Sequence, residues 1–140
     1  MAVRYKLILR KDMSKGAAEG AKLYYPQAVN NGYVPFDELC GEISDMCTLT
    51  SADVKAVLDR MNYILDRHLK AGRIVQFGES GTFRMSVGGS GSKATDDFKA
   101  SQIRKPRIVF TPGKMLQTTR VNSTFEQLHK EEGKEGENKG

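Results

Sequence analysis

The chain has 140 residues, 39% of them apolar, with 14 Gly and a formal net charge of +5; that suits one compact domain with at most a short appendage and leaves little room for separate catalytic and binding modules. The charge is uneven, because residues 126–140 hold five Glu against three Lys, a net −2, which leaves +7 on residues 1–125 and gives the body the footprint of a polyanion binder. No apolar run approaches the ~20 residues that span a bilayer, and the opening MAVRYKLILRKD has too short an apolar stretch for a secretory leader, so the expected location is the cytoplasm.

In chain order, residues 3–10 alternate Val3, Tyr5, Leu7 and Leu9 against Arg4, Lys6, Ile8 and Arg10, the period-2 pattern of a half-buried strand with a largely basic outer face. KLYYPQAV predicts a second strand, and Pro26 within it predicts an edge position. Tyr24 and Tyr25 on that edge are expected to pack on the body rather than to stack on bases. Asn30-Asn31-Gly32 marks a turn. Phe36, Leu39, Cys40 and Ile43 recur at helical spacing from Pro35 to Cys47, with Asp37 and Glu38 suited to the first turn. Thr50 and Asp53 form a capping box for a second helix carrying Val54, Val57, Leu58, Met61, Ile64, Leu65 and Leu69, and Gly72 ends it. Residues 73–78 and 81–87 then predict a hairpin with Phe83, Met85 and Val87 inward and Arg84 and Ser86 outward. GGSGSKATDD at 88–97 predicts a flexible loop, with Asp96 and Asp97 capping a short helix. Arg107–Phe110 predicts a strand, and Thr111 and Pro112 predict the cap and first position of a last helix. The apolar pattern thins after Asn122, and 131–140 has the composition of a disordered tail.

Residues suited to catalysis or metal binding are sparse. Cys40 and Cys47 stand seven apart, about 10 Å of helical rise, too far to bridge, and are expected to be two buried reduced thiols. His68 and His129 have no Cys or carboxylate at ligand spacing. Asp96 and Asp97 lack a partner base or nucleophile, and Gly88–Lys93 lacks the order of a phosphate-binding loop. The expectation is a protein that is not an enzyme and uses no cofactor, no metal and no small-molecule substrate.

Two motifs carry a resemblance. Val75-Gln76-Phe77-Gly78-Glu79-Ser80-Gly81-Thr82-Phe83 resembles the hairpin signature of the HU and integration-host-factor family of bacterial histone-like proteins, and Phe110-Thr111-Pro112-Gly113-Lys114 resembles that family's signature at the start of its last helix. The resemblance covers residues 34–120. It implies an α+β, HU-like fold: two N-terminal helices, an antiparallel β-sheet saddle and a short C-terminal helix, preceded here by an extra N-terminal β segment. Residues 1–33 and Asp97-Phe98-Lys99-Ala100-Ser101 with Ile103 resemble a divergent branch of the family, which implies that Phe98 and Ile103 pack on the body as a helical turn. The family's arms insert a Pro wedge between base steps, but 86–105 contains no Pro and adds Asp96 and Asp97.

The resulting division is a β extension at 1–33, an HU-like domain at 34–121 and a partly acidic tail at 122–140. The resemblance implies a homodimeric, nucleoid-associated protein that condenses double-stranded DNA through phosphate contacts, with little regard for sequence. Carried over by position, the nucleic-acid-binding residues are Arg73, Arg84, Lys93, Lys99, Arg104, Lys105, Arg107 and Lys114. The alternative is an HU scaffold that has lost DNA binding and serves as a structural or protein-interaction module, pairing its N-terminal strand with a partner.

Overall fold

A computed structural model describes residues 1–129; the tail predicted to be disordered, 131–140, lies outside the described residues. Among the described residues the fold is α+β, with three α-helices and two three-stranded sheets that belong to two units.

The terminal unit comprises residues 1–33 together with residues 122–129. Strand β1 (Val3–Lys11) lies at its centre, antiparallel to β2 (Lys22–Val29), with Leu7 opposite Pro26 and Tyr5 opposite Ala28. A short strand β6 (Phe125–Gln127) runs parallel to β1 on its other side, Tyr5 facing Gln127. Pro26 is on the edge strand, as expected. The sequence pattern predicts no element at 125–127: three residues carry no readable period, and only the pairing with β1 makes them a strand. Tyr24 is exposed and only Tyr25 is half-buried, so the expected packing of both tyrosines on the body holds for one of them in part.

The central unit comprises residues 34–121. Helix α1 (Phe36–Asp45) packs against α2 (Ser51–Lys70). The predicted capping box is present: Thr50 Oγ1 accepts from the Asp53 N–H at 3.2 Å, and the Thr50 N–H donates to Asp53 Oδ2 at 3.1 Å. The Thr50 hydroxyl, donating to Asp53 Oδ2 at 2.8 Å, and then the Thr50 N–H hold the Asp53 carboxyl below its ordinary value of 3.8. At the other end Gly72 (φ +75°) turns the chain, and the Arg73 N–H donates to His68 O at 3.0 Å, a Schellman-type closure. Lys55 pairs with Asp37 across the two helices, which raises the lysine's pKa. Cys40 is wholly buried but Cys47 is exposed, because α1 ends at Asp45 and leaves the second thiol in the connection.

The second sheet has the order β3 (Val75–Gln76), β4 (Gly81–Ser86), β5 (Arg107–Pro112), all antiparallel. The predicted first hairpin strand is cut to two residues, since Arg73 is consumed in closing α2 and Phe77 opens a 3-10 turn over Gly78–Ser80. The last helix also differs from expectation. Thr111 and Pro112 remain in β5, paired with Thr82 and Gly81, and α3 (Lys114–Val121) starts only after Gly113. Asp96 and Asp97 cap nothing: they sit in a 3-10 turn at Thr95–Asp97 with no side-chain cap bond, followed by another at Ala100–Gln102. Phe98 and Ile103 are 43% and 44% exposed, so the packing implied for them is partial. Among the described residues only Cys40, Val54 and Leu69 are buried apolar side chains.

Candidate nucleic-acid interface

The register of β4 and β5 divides the second sheet into two chemically distinct faces. Phe83 stands opposite Phe110 and Met85 opposite Ile108, while Arg84 stands opposite Val109 and Ser86 opposite Arg107. Since side chains alternate along a strand, the first set shares one face. On that face Phe83 meets Phe77 edge-on at 5.2 Å and Phe110 at 5.0 Å, and β3 and β4 contact α2. The opposite face presents Arg84 and Arg107 as diagonal neighbours among Thr82, Ser86 and Thr111. Both arginines are exposed, and no acidic residue stands on β3, β4 or β5. Two exposed guanidinium groups near hydroxyls suit phosphate oxygens.

The two signature segments meet at one corner of this sheet. Gly81 has φ +144°, and a Cβ there would overlap Thr111 O. A Cβ on Gly113 would lie 2.5 Å from Glu79 O, and the Gly113 N–H donates to Ser80 O at 2.9 Å. The glycines of both motifs therefore let the 3-10 turn and the start of α3 close on each other. Lys114 is thereby fixed at the N-terminus of α3, where a cation stands beside unpaired backbone donors. It lies at the far end of β5 from Arg107, roughly 20 Å away at ~3.3 Å per residue.

Beyond the other end of β4 and β5 the loop 87–106 is folded on itself. Gly89 bridges to Ile103, and the Arg104 N–H donates to Gly88 O at 2.8 Å. The Gln102 side chain ties the turn together: Oε1 accepts from the Lys99 N–H at 2.9 Å, and Nε2 donates to Ser92 Oγ at 2.9 Å and Ser90 O at 3.2 Å. Lys93, Lys99, Arg104 and Lys105 are all exposed on or beside this loop, and so are Asp96 and Asp97.

Of the eight residues singled out by sequence, Arg84 and Arg107 share one sheet face, Arg104 and Lys105 lead into it, Lys93 and Lys99 lie on the folded loop, and Lys114 holds the opposite corner. Arg73 stands apart: its guanidinium lies 3.1 Å from His68 Nδ1 at the end of α2. Sequence reasoning missed Gln102, whose four partners become visible only when the loop is closed. Among the described residues no three His, Cys, Asp or Glu side chains cluster as metal ligands, and no helix is long and apolar enough to cross a membrane.

Residues 1–127 match the family described as "HU domain fused to wHTH, Ig, or Glycine-rich motif". The chain belongs to this family of HU domains. The likeness carried by the Gly81-Thr82-Phe83 and Phe110–Lys114 signatures is thus borne out. A crystal structure from Bacteroides vulgatus ATCC 8482, called a "Putative bacterial DNA binding protein", superposes on this HU domain with a TM-score of 0.61 at 12% identity. The match covers 94% of this chain and 51% of that one, so the present chain spans about half the length of that structure's chain. No curated protein matches the chain.

Proposed function

We propose that this HU domain binds double-stranded DNA with little regard for sequence, as a homodimer whose paired sheets form a saddle against the phosphate backbone. The observation that carries this reading is the outer face of β4 and β5: Arg84 and Arg107 stand exposed together on a sheet whose other face is occupied by Phe83 and Phe110. Arg104, Lys105 and Lys114 extend the cationic strip to both ends of β5, and Lys93 and Lys99 add to it from the loop. Arg73 joins only after release from His68. Family membership and the name given to the Bacteroides vulgatus protein support DNA as the ligand.

The mechanism is electrostatic. Cations on a rigid sheet displace counterions from the duplex, which gives affinity without base readout. The loop 87–106 offers no wedge: it holds no Pro before Pro106 and is folded on itself around Gln102. Binding therefore works through backbone contacts and does not require sharp bending, and repeated binding along a duplex condenses it in the manner of a nucleoid-associated, histone-like protein acting in the cytoplasm. No catalytic step or cofactor enters this account.

A gel-shift series on plain, nicked and bent duplexes at two salt concentrations tests the reading. The wild-type chain is expected to bind all three at low salt and to lose affinity steeply as salt rises, and an Arg104/Lys105/Arg107→Ala variant is expected to bind much more weakly. Absence of binding at low salt, or binding by the variant equal to wild type, would sink it.

A further inference from the structure

The terminal unit has a strand edge that no strand among the described residues uses. Alternate residues of β1 direct their backbone groups to opposite sides. The even-numbered ones face β2, a row continued by the Asp12 N–H donating to Ala21 O at 2.8 Å. On the other side the Val3 N–H donates to Thr124 O, and Tyr5 O accepts from the Leu128 N–H, each at 2.8 Å. By the same alternation Leu7, Leu9 and Lys11 turn their N–H and C=O groups to that second side. Strand β6 ends at Gln127, beside Tyr5, and among the described residues nothing pairs with the edge beyond it. The sheet's other border is guarded. Pro26 stands opposite Leu7, and its missing N–H faces outward, where it blocks an added strand.

We propose that the Leu7–Lys11 edge of β1 captures, as an added β-strand, an extended peptide segment of alternating apolar and acidic residues. The side chains at the edge select that pattern. Leu7 and Leu9 are exposed on one face, and beside them lies a hollow of about 490 Å3 lined by Val3, Tyr5, Leu7, Pro26, Ala28 and Phe125. On the other face Lys6 and Arg10 flank Ile8, and both cations are exposed. A partner strand thus sets its apolar side chains beside Leu7, Leu9 and the rim of the hollow, and its carboxylates beside Lys6 and Arg10. Backbone bonds supply affinity and the alternating pockets supply specificity in such additions, while opposite charges across strands favour pairing and like charges oppose it.

The same charges argue against a second copy of the chain. In two-fold self-pairing about Ile8, Lys6 faces Arg10 of the other copy; about Leu9, Lys11 faces Leu7. About Leu9, Lys6 also meets Asp12, but Arg10 faces Ile8, so neither register sets carboxylates beside both Lys6 and Arg10. This surface is independent of the DNA-binding reading, since it lies in the other unit and uses none of the residues on β4 and β5.

The test is residue-resolved amide exchange by NMR on the full chain, alone and with an eight-residue Val-Glu repeat, an eight-residue Val-Lys repeat, or a DNA duplex. The amides of Leu7, Leu9 and Lys11 are expected to exchange freely in the protein alone, and at least tenfold more slowly with the Val-Glu peptide only. Lys6→Glu/Arg10→Glu should reverse the preference to the Val-Lys peptide. Leu9→Pro, which removes an N–H that the β1–β2 ladder does not use, should abolish capture of the Val-Glu peptide. Protection in the protein alone, whether constant or rising with protein concentration, would assign the edge to the chain itself or to a second copy and overturn the proposal. Equal protection by both peptides, or protection by the duplex instead, would overturn it as well.

Discussion

Gly81 and Gly113 matter to this HU domain through what a side chain would strike. Gly81 holds φ +144° with Thr111 O where a Cβ would lie, so an alanine there meets both strain and overlap. Gly81→Ala should lower unfolding stability by on the order of 2 kcal/mol in urea titrations, and it should disturb the corner that fixes Lys114. A second local device, the Thr50–Asp53 box, starts α2. Removing it with Thr50→Ala should cost about 1 kcal/mol. The pH dependence follows from Asp53, whose carboxyl is held below 3.8 by its bonds to Thr50. A group depressed in the folded state stabilises fully above its unfolded pKa and loses that contribution as pH falls through the folded one. The stability gap between wild type and Thr50→Ala should therefore shrink below about pH 4, as thermal melts across pH 3–7 would reveal.

At the scale of elements, α2 was legible because its signals are local: the Thr50 box and Gly72 lie within a turn of the ends they set. Outward Arg84 and inward Phe83 were legible from the two-residue period of β4. Arg73 was not, since the closure of α2 turned it toward His68. Strand β6 was hidden because Phe125, Glu126 and Gln127 acquire meaning only from Val3, Arg4 and Tyr5, more than a hundred residues away. The loop 87–106 misled for a related reason. Its Gly-Ser composition predicts freedom, but Gln102 donates to Ser90 O and Ser92 Oγ, ten or more residues back. Gln102→Ala should raise amide exchange through 88–104 at least several-fold, measured by mass spectrometry, while exchange in α2 stays unchanged.

At the scale of the molecule, much apolar surface is left open. Only three apolar side chains among the described residues are buried, while Val57 and Ile64, a heptad apart on α2, are exposed, as are Ile108 and Phe110 on the inner sheet face. In the proposed homodimer, a second chain would cover this stripe on α2. Val57→Glu/Ile64→Glu should shift the protein from dimer to monomer in sedimentation equilibrium at micromolar concentration. Loss of the dimer would weaken DNA binding too, because each chain would bring only its own strip of cations.

The central claim, that the outer face of β4 and β5 grips phosphates, is tested most directly by the salt dependence of duplex binding measured by fluorescence anisotropy. Each phosphate contact contributes about −0.9 to the slope of log K against log salt. Arg84→Ala/Arg107→Ala, compared with wild type, should bind more weakly on every duplex sequence, with a slope shallower by about 2 per bound chain. An unchanged slope and affinity in the double variant would contradict the account.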